Sequence, residues 1–257
     1  MNNRISILMY HQVGQFSAMK THRANYCDHR RFAGQMAFLK RFRFRVLDLD
    51  QVLECLRGDA PIPARAVALT FDDGYQNFID YALPVLRHHG FPATVYAISG
   101  YLGEPAAWFA KDPGRPIPRL MSAAQLREIR AVGIQIGSHT VNHVKLATVS
   151  ATRQHRELRD SKRSLEDALG EAVRHLCYPF GSFDLTTAQA ACSLNYATAV
   201  TCLRGATEPA DHPLVLPRKA ISFGDDLSGF FWKLAVKHAP KPDLQQWRRR
   251  LEGRALC

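Results

Sequence analysis

Apolar positions along the chain fall into two alternating patterns. Short continuous runs at 5–10, 66–71, 93–98, 134–137, 175–178, 196–200 and, less sharply, 214–216 read as strands buried on both faces. Between them, apolar residues at helical spacing over 31–42, 75–89, 123–131, 152–169, 186–194 and 226–238 predict helices. In 152–169 charges of both signs surround Leu158 and Leu165, as on a solvated helix face. Strand then helix, repeated, is the pattern of a parallel sheet with helical crossovers. Seven such strands in 257 residues suffice to close one barrel. No internal repeat and no Gly/Ser linker divides the chain. The expected fold is α/β, a single-domain (β/α)7-type barrel, with residues 1–225 forming the barrel and 226–257 supplying C-terminal helices and a basic tail. Residues 102–119 break the rhythm: Pro105, Pro113, Pro116 and Pro118 surround Trp108 and Phe109. They read as a long loop, with two readings open for its aromatic pair: lining a sugar-sized groove, or packing of Trp108 in the core.

Chemistry gathers where the strands stop. The run 66–71 ends in Asp72-Asp73-Gly74, and 134–137 in Ser138-His139-Thr140-Val141-Asn142-His143. The run 175–178 ends in Pro179-Phe180-Gly181, and 5–10 ends in His11. In a parallel barrel every strand C-terminus opens on the face that carries the active site. Two carboxylates and three histidines from distant parts of the chain therefore share one rim. Neighbouring carboxylates on a strand point to opposite faces, so a turn starting at Gly74 is needed to bring both into one cleft. His139 and His143, at i and i+4, are expected on one face of a helical turn, a spacing suited to one metal ion. One Asp with two His makes a three-ligand site with an open position for water. A metal there would lower the water's pKa from ~15.7 to ~7, and the second carboxylate would take its proton. Either motif alone is commonplace, as a turn or as two surface histidines. Both at the ends of core strands, beside a third such His, favour a catalytic centre.

These residues also carry a family resemblance. Thr70-Phe71-Asp72-Asp73-Gly74 resembles the first motif of the polysaccharide deacetylases, the NodB-homology domain of carbohydrate esterase family 4. Ser138–His143 is similar to its second, metal-binding motif, and Tyr178-Pro179-Phe180-Gly181 to its third. The resemblance implies a distorted (β/α)7-type barrel, a divalent metal, and removal of an acyl group from an N-acylated amino sugar. Carried over by position, it makes Asp72 the general base and Asp73, His139 and His143 the metal ligands. Tyr178, Pro179, Phe180 and Trp108 would line the substrate, with a backbone N–H near Phe180 facing the developing oxyanion. Two departures stand out. Many members place an Arg two residues before the motif-three Pro, where this chain has Cys177; Arg218, in Leu216-Pro217-Arg218, is the candidate replacement. No late Leu-x-His follows Arg218. Instead, Leu8-Met9-Tyr10-His11 resembles the permuted order of the exopolysaccharide (poly-N-acetylglucosamine) deacetylases, which makes His11 the candidate general acid.

Composition narrows this further. With 46% hydrophobic and 22% charged residues, the chain is neither disordered nor fibrous. Thirty-four Lys+Arg against 23 Asp+Glu leave a net charge of +11, which favours anionic partners. Much of the excess lies in Lys40-Arg41-Phe42-Arg43-Phe44-Arg45 and in Trp247-Arg248-Arg249-Arg250 with Arg254. Beside a sugar site, this points to a polysaccharide or lipid-linked N-acyl sugar and an anionic membrane surface rather than nucleic acid. The first apolar run is closed by His11, too early for a secretory signal of ~7–15 apolar residues, and no stretch approaches a membrane span. The expected location is the cytoplasm, peripheral at the inner membrane face. Six cysteines (27, 55, 177, 192, 202 and 257) without a C-x-x-C pair are expected reduced. Zn2+ suits the N/O ligand set, and Ni2+, Co2+, Fe2+ and Mn2+ are compatible with it. The alternative on this scaffold is hydrolysis of a non-sugar C–N bond, in a cyclic amide or formamide. A non-catalytic glycan-binding barrel would be expected to have lost a ligand or the base, and Asp72, Asp73, His139 and His143 are all present.

Overall fold

In the computed structural model, which describes residues 3–17, 21–108, 117–252 and 256, ten strands and eight α-helices alternate along the chain. The strands are β1 (Ile5–Tyr10), β2 (Gln12–Gly14), β3 (Tyr26–Asp28), β4 (Arg45–Leu47), β5 (Ala66–Phe71), β6 (Thr94–Ala97), β7 (Gln135–Ser138), β8 (His175–Cys177), β9 (Thr198–Arg204) and β10 (Leu216–Ala220). The helices are α1 (His29–Arg41), α2 (Leu49–Arg57), α3 (Leu83–His89), α4 (Ala123–Ala131), α5 (Ala151–Leu169), α6 (Leu185–Ser193), α7 (Leu227–Ala235) and α8 (Pro242–Leu251). All strand pairings are parallel. The order β1-β10-β9-β8-β7-β6-β5 closes through β1 against β5, giving a seven-stranded barrel; β4 joins the lower half of β5. The fold is the expected (β/α)7 barrel.

Closure follows from side chains alternating between two apolar layers. Ile5, Ile7, Ala66, Ala68, Tyr96, Cys177, Val200 and Leu216 cluster inside the barrel. Leu8, Tyr10, Val67, Leu69 and Phe71 face outward onto α1 and its neighbours through Phe32, Met36 and Leu39. Burial on both faces is why these strands read as unbroken apolar runs. Six of the eight helices start at side-chain caps: Asp28, Asp48, Ser122, Ser150, Asp184 and Asp226 each accept backbone N–H bonds of the first turn.

Several expectations change in detail. Residues 75–89 form one π turn (Phe78–Ala82) and then α3, because Pro84 has no N–H to continue a regular ladder. The last strand runs beyond 216, with Arg218 and Lys219 inside it, and their charge hides the strand from an apolar count. The α5 face is only partly solvated: Gln154, Glu157 and Ser161 are buried with Leu158 and Leu165. In the basic tail, Arg248 turns inward to Asp211 and Glu208, and Trp247 stacks on Phe183 with centroids 4.4 Å apart. Arg254 and Phe109 lie outside the described residues. Cys27, Cys55, Cys177 and Cys202 are free thiols, whereas Cys192 is disulfide-bonded, against the expectation of uniformly reduced cysteines. Among the described residues no helix is long and apolar enough to cross a membrane.

Candidate active site

Strand register assembles the rim. β1 and β5 pair from Ile5↔Ala66 up to Tyr10↔Phe71, so the next residues, His11 and Asp72, leave the barrel side by side. His11 Nε2 lies 3.9 Å from Asp72 Oδ2. Asp72 shares the inward parity of Ala66, Ala68 and Thr70. Asp73 would then point outward, and the backbone prevents this by entering the left-handed region at φ 71, followed by Gly74 at φ 72. The turn therefore begins at Asp73, one residue earlier than expected. Asp tolerates that conformation better than most side chains.

Asp73 faces the second motif. Its Oδ1 lies 3.3 Å from His139 Nε2 and 3.2 Å from His143 Nε2. The two histidines do not share a helical turn as expected. Residues 139–143 form a loop in which Thr140 (φ 66) and His143 (φ 52) are left-handed. The loop is held by buried Glu157 of α5, which accepts from the Val141 and Asn142 N–H groups and from Asn142 Nδ2, while Thr140 Oγ1 accepts from the His143 N–H. Asp73, Thr140, His143 and Phe180 all carry positive φ around one cleft, a concentration of backbone strain typical of functional sites.

The three donors suit a cation. They lie within 4.8 Å of one another, and buried Asp73 Oδ1 accepts no hydrogen bond among the described residues. An orphaned buried carboxylate oxygen beside two imidazole nitrogens is costly unless a positive ion satisfies it. His139 Nδ1 is 2.7 Å from the Cys177 carbonyl and donates to it, which leaves the Nε2 lone pair toward the cleft. One carboxylate and two imidazoles form an N/O set suited to zinc and related divalent ions. Buried Tyr75 stands behind them, its phenol pushed up by burial and then by the Asp73 charge.

Asp72 is held by Arg218. The fully buried guanidinium donates to Asp72 Oδ1 and Oδ2 at 2.6 and 2.7 Å, to Thr70 Oγ1 at 3.0 Å, to the Thr201 carbonyl at 2.9 Å and to Cys177 Sγ at 3.2 Å. Its five N–H donors thus meet five acceptors. Burial alone would raise the Asp72 pKa, but the Arg218 charge and hydrogen bonds outweigh it and hold the carboxyl below its usual range. Cys177 fills the inward position on β8 and becomes one of the guanidinium's acceptors.

Aromatic side chains form the walls. The Phe180 ring, exposed, lies 4.5 Å from the His143 ring, and Trp108 lies 5.0 Å from it on another side. Phe180 adopts φ 59 in the 3-10 turn Pro179–Gly181, whose Gly181 packs so tightly that a Cβ would sit 2.9 Å from the Cys202 nitrogen. Tyr178 and Pro179 need correction as substrate-lining residues. Tyr178 is fully buried on the outer layer, stacked on Phe183 and donating to the Leu214 carbonyl, and Pro179 is buried beneath the turn. Strand parity explains this: Cys177 points into the barrel, so Tyr178 points away. Glu157, Tyr75 and the Thr201 carbonyl carry no sequence signal, because buried polar groups inside apolar or helical stretches reveal their partners only in three dimensions.

Comparison with known proteins agrees with this geometry. A family model described as polysaccharide deacetylase matches residues 59–199, more than half the chain. YxkH of Bacillus subtilis (strain 168) is 26% identical over 227 residues, covering 88% of this chain and 75% of that protein. The poly-beta-1,6-N-acetyl-D-glucosamine N-deacetylase of Escherichia coli (strain K12) is 33% identical over 111 residues, 42% of this chain but only 16% of that longer protein. The solved Streptococcus pyogenes deacetylase PplD, in complex with acetate, superimposes with a TM-score of 0.77 at 29% identity, covering 90% of this chain and 98% of that one. With the Asp73–His139–His143 group on the rim of a seven-stranded barrel, and with a match running from 59 to 199, the chain belongs to the polysaccharide deacetylase family.

Proposed function

We propose that this protein is a metal-dependent hydrolase that removes an N-acetyl or other N-acyl group from an amino sugar of a polysaccharide or lipid-linked glycan. One observation carries the proposal: an orphaned Asp73 oxygen facing two imidazoles, next to a carboxylate, Asp72, that Arg218 keeps ionised. Asp73, His139 and His143 would hold one divalent ion, Zn2+ being the best match to the donor set. When bound, the ion supplies Lewis-acid polarisation of the amide carbonyl and a water acidic enough to react near neutral pH. Asp72 accepts the proton of that water through lone pairs that the Arg218 fork leaves unused. Arg218 positions this base. His11, beside Asp72, delivers a proton to the departing nitrogen, so that the amine leaves neutral. The backbone N–H of Phe180 is the donor assigned to the developing oxyanion. Phe180 and Trp108 offer flat apolar faces to a sugar ring. The β1–β5 register, which sets His11 and Asp72 side by side just past the strand ends, supports these two roles.

The test is acetate release from N-acetylated oligosaccharides compared with small cyclic amides and formamides. Asp72→Asn should abolish release while the protein retains its metal, measured by elemental analysis. Loss of the metal instead would show that the roles of Asp72 and Asp73 are exchanged, and hydrolysis of the small amides alone would overturn the sugar assignment.

A further inference from the structure

α7 presents the wrong face to water. The exposed positions of α7 and its C-cap are Leu227, Ser228, Phe231, Trp232, Ala235 and Val236, and all but one are apolar. At 100° per residue they span one continuous half of the helix, and the opposite side already packs inward through Phe230 and Leu234. Phe231 and Trp232 are 48% and 56% exposed, values that normally belong to polar side chains of a surface helix. The patch continues onto α1: Phe38 bridges Phe231 (centroids 6.1 Å) and Phe42 (4.4 Å), and Phe42 is itself 46% exposed. A groove of about 720 Å³, lined by Phe38, Phe42, Phe44, Phe231, Arg4 and Arg65 among others, joins the two helices. None of the site residues on the rim lines it.

Cations edge this apolar face. Lys40, Arg41, Arg43 and Arg65 are exposed, and Arg4 and Lys237 are half-buried; none forms an ion pair with a carboxylate among the described residues. Arg41 and Arg65 instead sit 5.9 and 6.0 Å over the Phe42 and Phe44 rings. Lys233 is the exception, paired to Asp225. Aromatic and aliphatic residues on one helical face, with unpaired Lys and Arg at its margin, are the composition of a helix lying in a bilayer interface. A second copy of the chain fits this face less well, since a two-fold pairing would bring its cations against their own kind.

We propose that the α1–α7 flank of the barrel docks on an anionic phospholipid bilayer, with Phe231 and Trp232 entering the interface and the Lys40–Arg43 segment meeting headgroup phosphates. The catalytic rim stays clear of the contact. The test is sedimentation of the full chain with equimolar phosphatidylglycerol and phosphatidylcholine vesicles, against pure phosphatidylcholine, at low and high salt. Binding should require the anionic lipid and weaken with salt. It should fall about tenfold or more in Phe231→Ser/Trp232→Ser and in Lys40→Gln/Arg41→Gln/Arg43→Gln, with turnover of a soluble substrate unchanged. Vesicles carrying a quencher in their acyl chains should dim wild-type tryptophan fluorescence more than that of Trp232→Phe. Absence of binding to the anionic vesicles, binding unaltered by both sets of substitutions, or a dimer that dissociates in Phe231→Ser/Trp232→Ser would each overturn the proposal. Because the readout is vesicle binding, its failure leaves the deacetylase assignment standing, and the reverse holds too.

Discussion

Replacing Arg218 by Met tests the centre of the site through stability alone. The substitution keeps much of the side-chain volume but removes all five hydrogen bonds, leaving the 3% exposed Asp72 without its cation. Breaking one side of a buried ion pair costs about 3–5 kcal/mol, mostly because the other charge stays buried. For a chain of this size, each kcal/mol lowers Tm by about 2–4 °C, so the fall should be roughly 6–20 °C. Asp72→Leu alone strands the guanidinium and should cost a similar amount. The double variant removes both charges, and buried pairs replaced by apolar residues are often neutral in stability. The single losses sum to about 6–10 kcal/mol, so the double variant should be more stable than that sum by at least about 3 kcal/mol, the top of the usual coupling range. Urea unfolding of chelator-treated protein measures all four corners without interference from bound metal. Additive losses, or an Arg218→Met variant as stable as wild type, would refute the claim that this pair is a closed electrostatic unit.

The site and the fold yield further expectations. His11→Ala should lower acetate release by about 10²–10⁴-fold with metal content and Tm unchanged, and near-normal turnover at neutral pH would remove His11 as the acid. His143→Ala should reduce bound metal and activity together, and chelation of the wild type should abolish activity until a divalent ion is restored; full activity after verified metal removal would contradict the ligand assignment. Lys219 sits on the outer side of β10, where its Nζ meets Ser6 Oγ, the Lys233 carbonyl and His238 Nδ1, and burial followed by the Arg4 charge pushes its pKa down to about 7. The unfolded chain keeps that proton up to about pH 10.4. Between about pH 7 and 10 it therefore binds more protons than the folded state, and stability should rise with pH there by up to about 1.4 kcal/mol per unit. Lys219→Met should lose this rise in urea unfolding at pH 7, 8 and 9, and parallel slopes in the two proteins would contradict it.

What the chain discloses about its fold depends on whether a signal is local. β1, β5 and α4 begin and end where the apolar pattern places them, because their periodicity is set by burial within the element itself. β2, β3 and β4, three residues each, are too short to leave a period, and β10 is disguised by Arg218 and Lys219. The His139–His143 loop is the sharper case. Spacing alone reads as a helical turn, yet Glu157, far along the chain on α5, accepts the loop's N–H groups and holds it open. Nothing within residues 139–143 encodes that capture.

Arg218 shows how much parity can add to such a reading. On β5 the inward positions are Ala66, Ala68, Thr70 and Asp72, so three small side chains leave an unfilled volume directly below the carboxylate. Close-packed interiors do not tolerate that space, and something long from another strand must occupy it. On β10 the inward residue is Leu216, which makes Arg218 the next inward side chain, while Cys177 on β8 is too short to reach across. The same alternation sends Tyr178 outward and removes it from the substrate wall. Family motifs alone locate the residues that touch the reaction. Parity identifies which of their neighbours can face them, and here it turns a missing motif-three arginine into an expected one: a buried carboxylate beside small inward residues requires a cation, and β10 is the strand with a long inward side chain to supply it.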